Sequence, residues 1–343
     1  MAYISFQPSD FFKTVLYTGN GSTQSITGVG FQPAMNWMKG RDTTENHEIA
    51  DINRGATKYI APNSAGTEGT DANAITSFDS DGVSIGSWAT YNNNTSKFVM
   101  WNWKGGTTSG ITTDGSTTIT PTSYSFSADA GISILKYTGN TTSGAGLAHG
   151  MGKTPAFFVA KDLSTGESWT VYHKSLGNTK FMSMNGSGSV STATNRWNDT
   201  DPTSVNMILG NETSVNNTNM IGYCFAEVKG FSSIGSYTGN GQSFGPFIPC
   251  GFRPAFVVIK RIDGADNWVM FDDKRDGYNV DNNILYPNLT NAEATSDYLD
   301  LTSNGFTLRW SDSKANYDGG SYLYLAFAEF PFVSSNSKAG VAR

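Results

Sequence analysis

Two carboxylates, Glu227 and Glu329, stand just behind the apolar runs Met220-Ile221-Gly222-Tyr223-Cys224-Phe225 and Tyr322-Leu323-Tyr324-Leu325-Ala326-Phe327. A pair of carboxyls roughly 5–10 Å apart is what glycosidic-bond hydrolysis requires. After the earlier run Phe98-Val99-Met100-Trp101-Asn102-Trp103-Lys104 that place is held by Gly105. The carboxylates are therefore read as strand ends. The three histidines, His47, His149 and His173, have no second ligand at metal spacing and are read as neutral surface or turn residues. Asp79-Ser80-Asp81-Gly82 opens like a calcium loop but lacks the later ligands, and Ser303-Asn304 replaces the acidic pair at the matching place. A hairpin turn accounts for both. There is no Gly-x-Ser-x-Gly elbow, phosphate loop or Cys-x-x-Cys pair. The expectation is a protein that is not an enzyme, with no catalytic residue, metal or cofactor.

Binding chemistry has a firmer basis. Trp88 with Tyr91 and Asn92, Trp197 with Asn198 and Asp199, and Trp310 with Asp312 lie in polar, loop-like contexts. Indole and phenol faces stack on sugar rings, and neighbouring amides and carboxylates bond sugar hydroxyls. The competing reading is that each tryptophan covers the end of its own sandwich.

The elements that must hold these residues are repeated. Tyr-Thr-Gly-Asn occurs at 17–20, 137–140 and 237–240, with starts 120 and 100 positions apart. Each copy leads through a Pro-Ala step (Pro33-Ala34, Pro155-Ala156, Pro254-Ala255) to an apolar run and a lysine: Lys39, Lys161 or Lys260. A period near 100 suits three duplicated small domains rather than a solenoid. In the closing strands Trp103, Phe225 and Phe327 align, as do Trp101, Tyr223 and Leu325 two residues earlier. That spacing puts them on one face, and the near-continuous apolarity predicts a central strand covered on both faces. Asp81-Gly82 and Asn304-Gly305 predict hairpin turns. The fold class is all-β: three related antiparallel β-sandwiches, jelly-roll or lectin-like, in one chain. The repeats span 16–106, 131–230 and 231–333. A Thr/Ser/Gly-rich connector covers 107–130, and a tail covers 334–343. Residues 1–15 read as an anchoring segment, with Tyr3, Phe6, Pro8, Phe11 and Phe12 expected to lie along a partner subunit or another protein of the same assembly. Repeats two and three, joined through Lys229-Gly230-Phe231, are expected to form a packed pair.

Composition narrows the class. Only 15% of residues are charged and 13% are aromatic, the profile of a turn-rich β protein rather than a disordered one. A net charge of −6 and the absence of basic runs argue against nucleic acid. The start, Met1-Ala2-Tyr3-Ile4-Ser5-Phe6, is unlike a signal peptide, and no apolar run has the length of a membrane span. Cys224 and Cys250 make no disulfide framework, and reduced thiols fit assembly inside a cell.

The three Tyr-Thr-Gly-Asn elements combine with Phe6-Gln7-Pro8-Ser9-Asp10, Arg54-Gly55-Ala56-Thr57-Lys58-Tyr59, Glu68-Gly69-Thr70-Asp71-Ala72-Asn73, Ser77-Phe78-Asp79-Ser80-Asp81-Gly82 and Ala328-Glu329 followed by Pro331-Phe332. In this combination the chain resembles a family of virion structural proteins of tailed bacteriophages, common in marine phages and described as tail-fibre or concanavalin-like. The resemblance implies a tail fibre or spike subunit, or a capsid-mounted fibre or decoration subunit. Such a protein would be assembled in the host cytoplasm and located in the virion. It would adhere to host surface polysaccharide through many weak glycan contacts, as a homo-oligomer (a trimer is favoured) alongside other tail or capsid proteins. No catalytic residues carry over. A carbohydrate-binding module of cellular origin and a polysaccharide-degrading tailspike are the alternatives.

Overall fold

A computed structural model describes residues 5–276, 279 and 281–330. It is all-β, built from antiparallel sheets with four one-turn helices between them. One strand order occurs three times. In the first repeat it runs Phe12–Thr18, Lys97–Trp103, Met35–Gly40, Glu48–Asp51. In the second it is Ile132–Tyr137, Met220–Phe225, Phe157–Asp162, Thr170–His173. In the third it is Ser232–Thr238, Ser321–Ala328, Pro254–Arg261, Val269–Asp272. An outer sheet accompanies each: Gln24–Ile26, Gly82–Ile85 and Ile75–Asp79 in the first repeat, Thr117–Ile119, Ala145–Ala148 and Asn206–Leu209 in the second, and Phe247–Pro249, Gly305–Leu308, Ala294–Thr302 and Asp281–Ile284 in the third.

The strands of each inner sheet are apolar on both faces because both faces are covered. Met38, Met100 and Ala50 point to the outer sheet of repeat one and meet Ile26, Val83 and Ile85 there. Trp37, Trp101, Trp103 and Ile49 point the other way, into a core shared with Phe157, Val159, Tyr223 and Phe225 of repeat two and Phe256, Val258 and Phe327 of repeat three. The aligned aromatics meet at its centre, with ring centroids 6.2 Å apart for Trp103–Phe225, 5.7 Å for Trp103–Phe327 and 5.4 Å for Phe225–Phe327. A cavity of about 30 Å³ with wholly apolar walls remains beside them, lined by Trp37, Trp103, Trp169, Phe225 and Phe256 among others.

The contacts between repeats close a ring. The backbone N–H of Glu68 donates to Leu163 at 3.0 Å, that of Val190 to Ile262 at 3.1 Å, and that of Glu293 to Arg41 at 2.7 Å. Repeat one thus touches two, two touches three, and three returns to one. Side chains follow the same cycle. The Tyr223 hydroxyl donates to Asp51 at 2.8 Å, the His173 ring meets the Tyr324 carbonyl at 3.4 Å, and the Trp101 indole donates to Asp272 at 3.1 Å. The expected packed pair of repeats two and three is therefore a ring of three.

Two segments differ from their sequence reading. Residues 107–130 are no free connector. Ser123–Ser127 extends the inner sheet of repeat two, and Thr117–Ile119 pairs in parallel with Ala145–Ala148 at the edge of its outer sheet. The described part of the opening segment packs against its own chain. Phe12 is fully buried and begins the first strand, Pro8 is buried in a short 3-10 turn, and Phe6 and Phe11 stack edge-on against Phe231 at 5.4 and 6.4 Å. These rings find their cover on repeat three of the same chain. Tyr3 lies outside the described residues.

Candidate functional site

Most residues with chemical potential are committed to the scaffold. Each motif tyrosine donates its hydroxyl to a carbonyl in a one-turn helix: Tyr17 to Tyr91 at 2.7 Å, Tyr137 to Val215 at 2.6 Å, Tyr237 to Ala315 at 2.7 Å. Those helices, Ala89–Asn92, Thr213–Asn216 and Ser313–Asn316, each end on a fully buried asparagine. Its side-chain oxygen accepts the backbone N–H of the motif asparagine at 2.7 Å (Asn20), 2.8 Å (Asn140) and 2.8 Å (Asn240). A Cβ on Gly19 would fall 2.1 Å from the Asn93 carbonyl oxygen, and one on Gly239 would fall 2.3 Å from that of Tyr317. The motif is a turn-to-helix clasp, and close backbone approach explains its glycine.

The repeated lysines are clasps too. Lys39 donates to the carbonyls of Gly40 and Thr43, Lys161 to those of Ala65, Asp162, Thr165 and Glu167, and Lys260 to those of Ser187, Arg261 and Asp266. Ala65 and Ser187 belong to the preceding repeat, so two of the three lysines also tie the ring. Burial pulls each ammonium down to about 8.

All three histidines are buried, not surface residues. His47 accepts the Trp37 indole N–H at 3.1 Å, His149 the Met151 N–H at 3.2 Å, and His173 the Ser175 N–H at 3.1 Å, all at Nδ1. Burial lowers His149 and His173 to about 4 and His47 well below its ordinary value. Their proton signals in NMR should stay flat from pH 7.5 to 5. Below pH 6.5 the unfolded chain takes up protons that the folded chain refuses. Each histidine then removes about 1.4 kcal/mol of stability per pH unit until its folded pKa is reached. Glu48, raised to about 8 by burial, works in the opposite sense, favouring the fold as pH falls from 8 to its unfolded value. A histidine signal titrating near 6.5 in the folded protein would refute this account.

The carboxylates are spoken for. Glu329 is fully buried, 2.5 Å from Lys13 and 3.0 Å from Lys274, and Glu227 pairs with Lys174. Asp79–Gly82 closes a hairpin, with Asp81 accepting backbone N–H groups of Gly28 and Gly30. Among the described residues no cluster of three or more His, Cys, Asp or Glu is placed to hold a metal. Both cysteines are free thiols. No described helix is long and apolar enough to cross a membrane.

The aromatic candidates separate sharply. Trp197 is core: its ring is fully buried and its indole donates to the Lys180 carbonyl at 3.0 Å. Asn198 and Asp199 form the left-handed turn beyond it, at φ 53° and 46°. Tyr91 and Asn92 are buried parts of the clasp. Trp88 is half-buried, packed on Tyr59 at 4.4 Å and Tyr91 at 5.1 Å. Asp312 caps a helix, accepting the Lys314 N–H at 2.8 Å. Trp310 alone of the eight tryptophans is exposed, at 48%.

Two further exposed rings that sequence reading missed belong to the same repeat: Phe244 at 75% exposure and Phe247 at 48%. Phe247, Thr307 and Asp300 lie side by side across three strands of the outer sheet of repeat three. Arg309, two residues along from Thr307, stacks its guanidinium 4.8 Å from the Phe244 ring and stands 3.4 Å from Asp300. Aligning the repeats strand by strand offered the signal, because Ser25 and Gly146 occupy the register position of Phe247.

No curated protein and no solved structure matches the chain. One family does, across residues 7–331, described as a domain of unknown function (DUF7483). The match takes in all three repeats, and the chain belongs to that family.

Proposed function

We propose that the chain is a non-enzymatic virion structural protein of a tailed bacteriophage, either a tail-fibre or spike subunit or a capsid-mounted fibre or decoration subunit, that adheres to glycan on the host surface. The observation that carries this reading is where the polar residues go. The tyrosines, asparagines, lysines and histidines that could do chemistry are absorbed into clasps and seams, and what remains outward is an aromatic face. The resemblance in the repeated motifs supplies the virion setting. A ring closed within one chain is a rigid unit, and copies arrayed on a particle would turn weak contacts into lasting adhesion. Antibodies against the folded protein should label intact particles in negative stain, and the purified protein should bind host surface polysaccharide without shortening it. Unlabelled particles would remove the virion assignment, and falling polymer length would favour the tailspike alternative.

A further inference from the structure

The three repeats serve as controls for one another. Across the outer sheet of repeat one, the row in register is Ser25, Ser84 and Ser77. In repeat two the row begins with Gly146 and Ile208, and the added strand Thr117–Ile119 covers that edge. In repeat three the same row is Phe247, Thr307 and Asp300, and nothing described covers it. The next outward position is Gly86 in repeat one and Gly210 in repeat two, where a Cβ would come within 2.5 Å of Asn73 and 2.0 Å of Asn195. In repeat three it is Arg309. Two repeats thus show that the fold needs no aromatic or cationic side chain here. The exposure of Phe244 and Phe247 in the third shows that these rings add little to the core.

We infer that this face of repeat three, formed by Phe244, Phe247, Thr307, Asp300 and Arg309, with the exposed Trp310 next along the chain, is a glycan-binding site. The inference rests on the adhesion reading above and gives it a location. Large apolar rings left in solvent mark binding surfaces. The groups between them favour a sugar over a protein partner. Three adjacent strands make the Phe247–Thr307–Asp300 row about 10 Å across, the scale of two sugar rings. It offers a stacking face, a hydroxyl and a carboxylate in line. Asp300 Oδ2 lies 3.4 Å from Arg309 Nε, which sets a carboxylate beside the guanidinium. Arg309 is held between Phe244 and Asp300, which fixes its N–H groups at the rim. Stacking supplies affinity for the apolar face of the sugar, and the Asp–Arg pair reads its hydroxyls.

Trp310 supplies its own reporter. The full-length protein is applied to an array of purified bacterial lipopolysaccharide, capsular polysaccharide and teichoic acid. Iodide quenching of tryptophan emission is then measured with and without the polysaccharide that binds. Iodide should reach chiefly Trp310, and the bound polysaccharide should protect it. Trp310→Ala and Phe244→Ser should each weaken binding at least tenfold, and Asp300→Asn should do so without removing a ring. Surface changes of this kind should leave the melting temperature within about 2 °C. Undiminished binding by all three variants, with no protection of Trp310, would overturn this site while leaving adhesion intact. A wild-type protein that binds nothing on the array would overturn both. Protection that grows with protein concentration and ignores polysaccharide would make the face a contact between copies, and the glycan assignment would fall.

Discussion

Phe327→Ala will lower the free energy of unfolding by about 3–5 kcal/mol, the range for deleting a buried aromatic ring, and the remaining stability will still be lost in one transition. Phe327 is fully buried, and its ring centroid lies 5.4 Å from that of Phe225, 5.6 Å from those of Phe12 and Phe231, and 5.7 Å from that of Trp103. These partners belong to all three repeats, so the void would open where the repeats meet. Collapse around it is restrained, because Phe12, Trp103 and Phe225 are the ends of strands already paired in register: Trp103 with Phe12 and Met35, Phe225 with Ile132 and Phe157. The cavity of about 30 Å³ already present among Trp103, Phe225 and Phe256 shows that packing there is incomplete even in the native ring. Urea titrations followed by tryptophan emission and by far-ultraviolet circular dichroism should shift together. Two separated transitions, or a loss below about 1 kcal/mol, would mean that the sandwiches stand independently and the shared core contributes little.

The spacing of Trp101 and Trp103, matched by Tyr223 and Phe225, was sufficient to read a strand covered on both faces, because alternation and continuous apolarity are local properties. What provides the second cover was not legible. An outer sheet and a neighbouring repeat present the same apolar demand to a strand, and only the path of the whole chain decides between them. The hairpins at Asp81-Gly82 and Asn304-Gly305 were readable for the same local reason. Trp197 misled because its one-turn helix sends one ring inward while Asn195, Asp199 and Thr200 stay exposed. Polarity along such a sequence says little about the fate of a single side chain. The aromatics of the opening segment did need cover, but Phe231, which supplies it, lies more than 200 residues away. The exposed face of repeat three was legible in principle, since Phe247 departs from Ser25 and Gly146. That comparison requires a strand register, which the unequal spacing from the motif tyrosine (25 − 17 = 8, 146 − 137 = 9 and 247 − 237 = 10 residues) obscures.

The seams of the ring make the second strong prediction, since among the described residues two hold a buried Asp–Arg pair and the third has a histidine and a leucine in its place. Where repeat three meets repeat one, Asp272 accepts Arg275 Nε at 2.6 Å and the Trp101 indole at 3.1 Å. Arg275 in turn reaches Glu293 at 3.0 Å, and Glu293 pairs with Arg41 at 2.7 Å. Where repeat one meets repeat two, Asp51, Arg54 and Glu68 repeat the arrangement, with Tyr223 in place of Trp101. Where repeat two meets repeat three, the corresponding places hold His173, Leu176 and Val190, and the seam closes without an ion pair between them. Asp272→Ala should therefore cost about 3–5 kcal/mol, because it takes the Nε partner from a fully buried guanidinium, which keeps Glu293, and the acceptor from the buried Trp101 indole. The charges themselves should be dispensable as a set. Replacing Asp272, Arg275 and Glu293 together by His, Leu and Val installs the residues that the second seam already uses, and most of the loss should be recovered. Denaturant midpoints of the single and triple variants measure this directly. If the triple variant is no more stable than Asp272→Ala, the seams are not interchangeable and each has been fitted to its own partner. Recovery would mean that the ring is held chiefly by its shared apolar core, with the buried charges fixing which repeat docks against which.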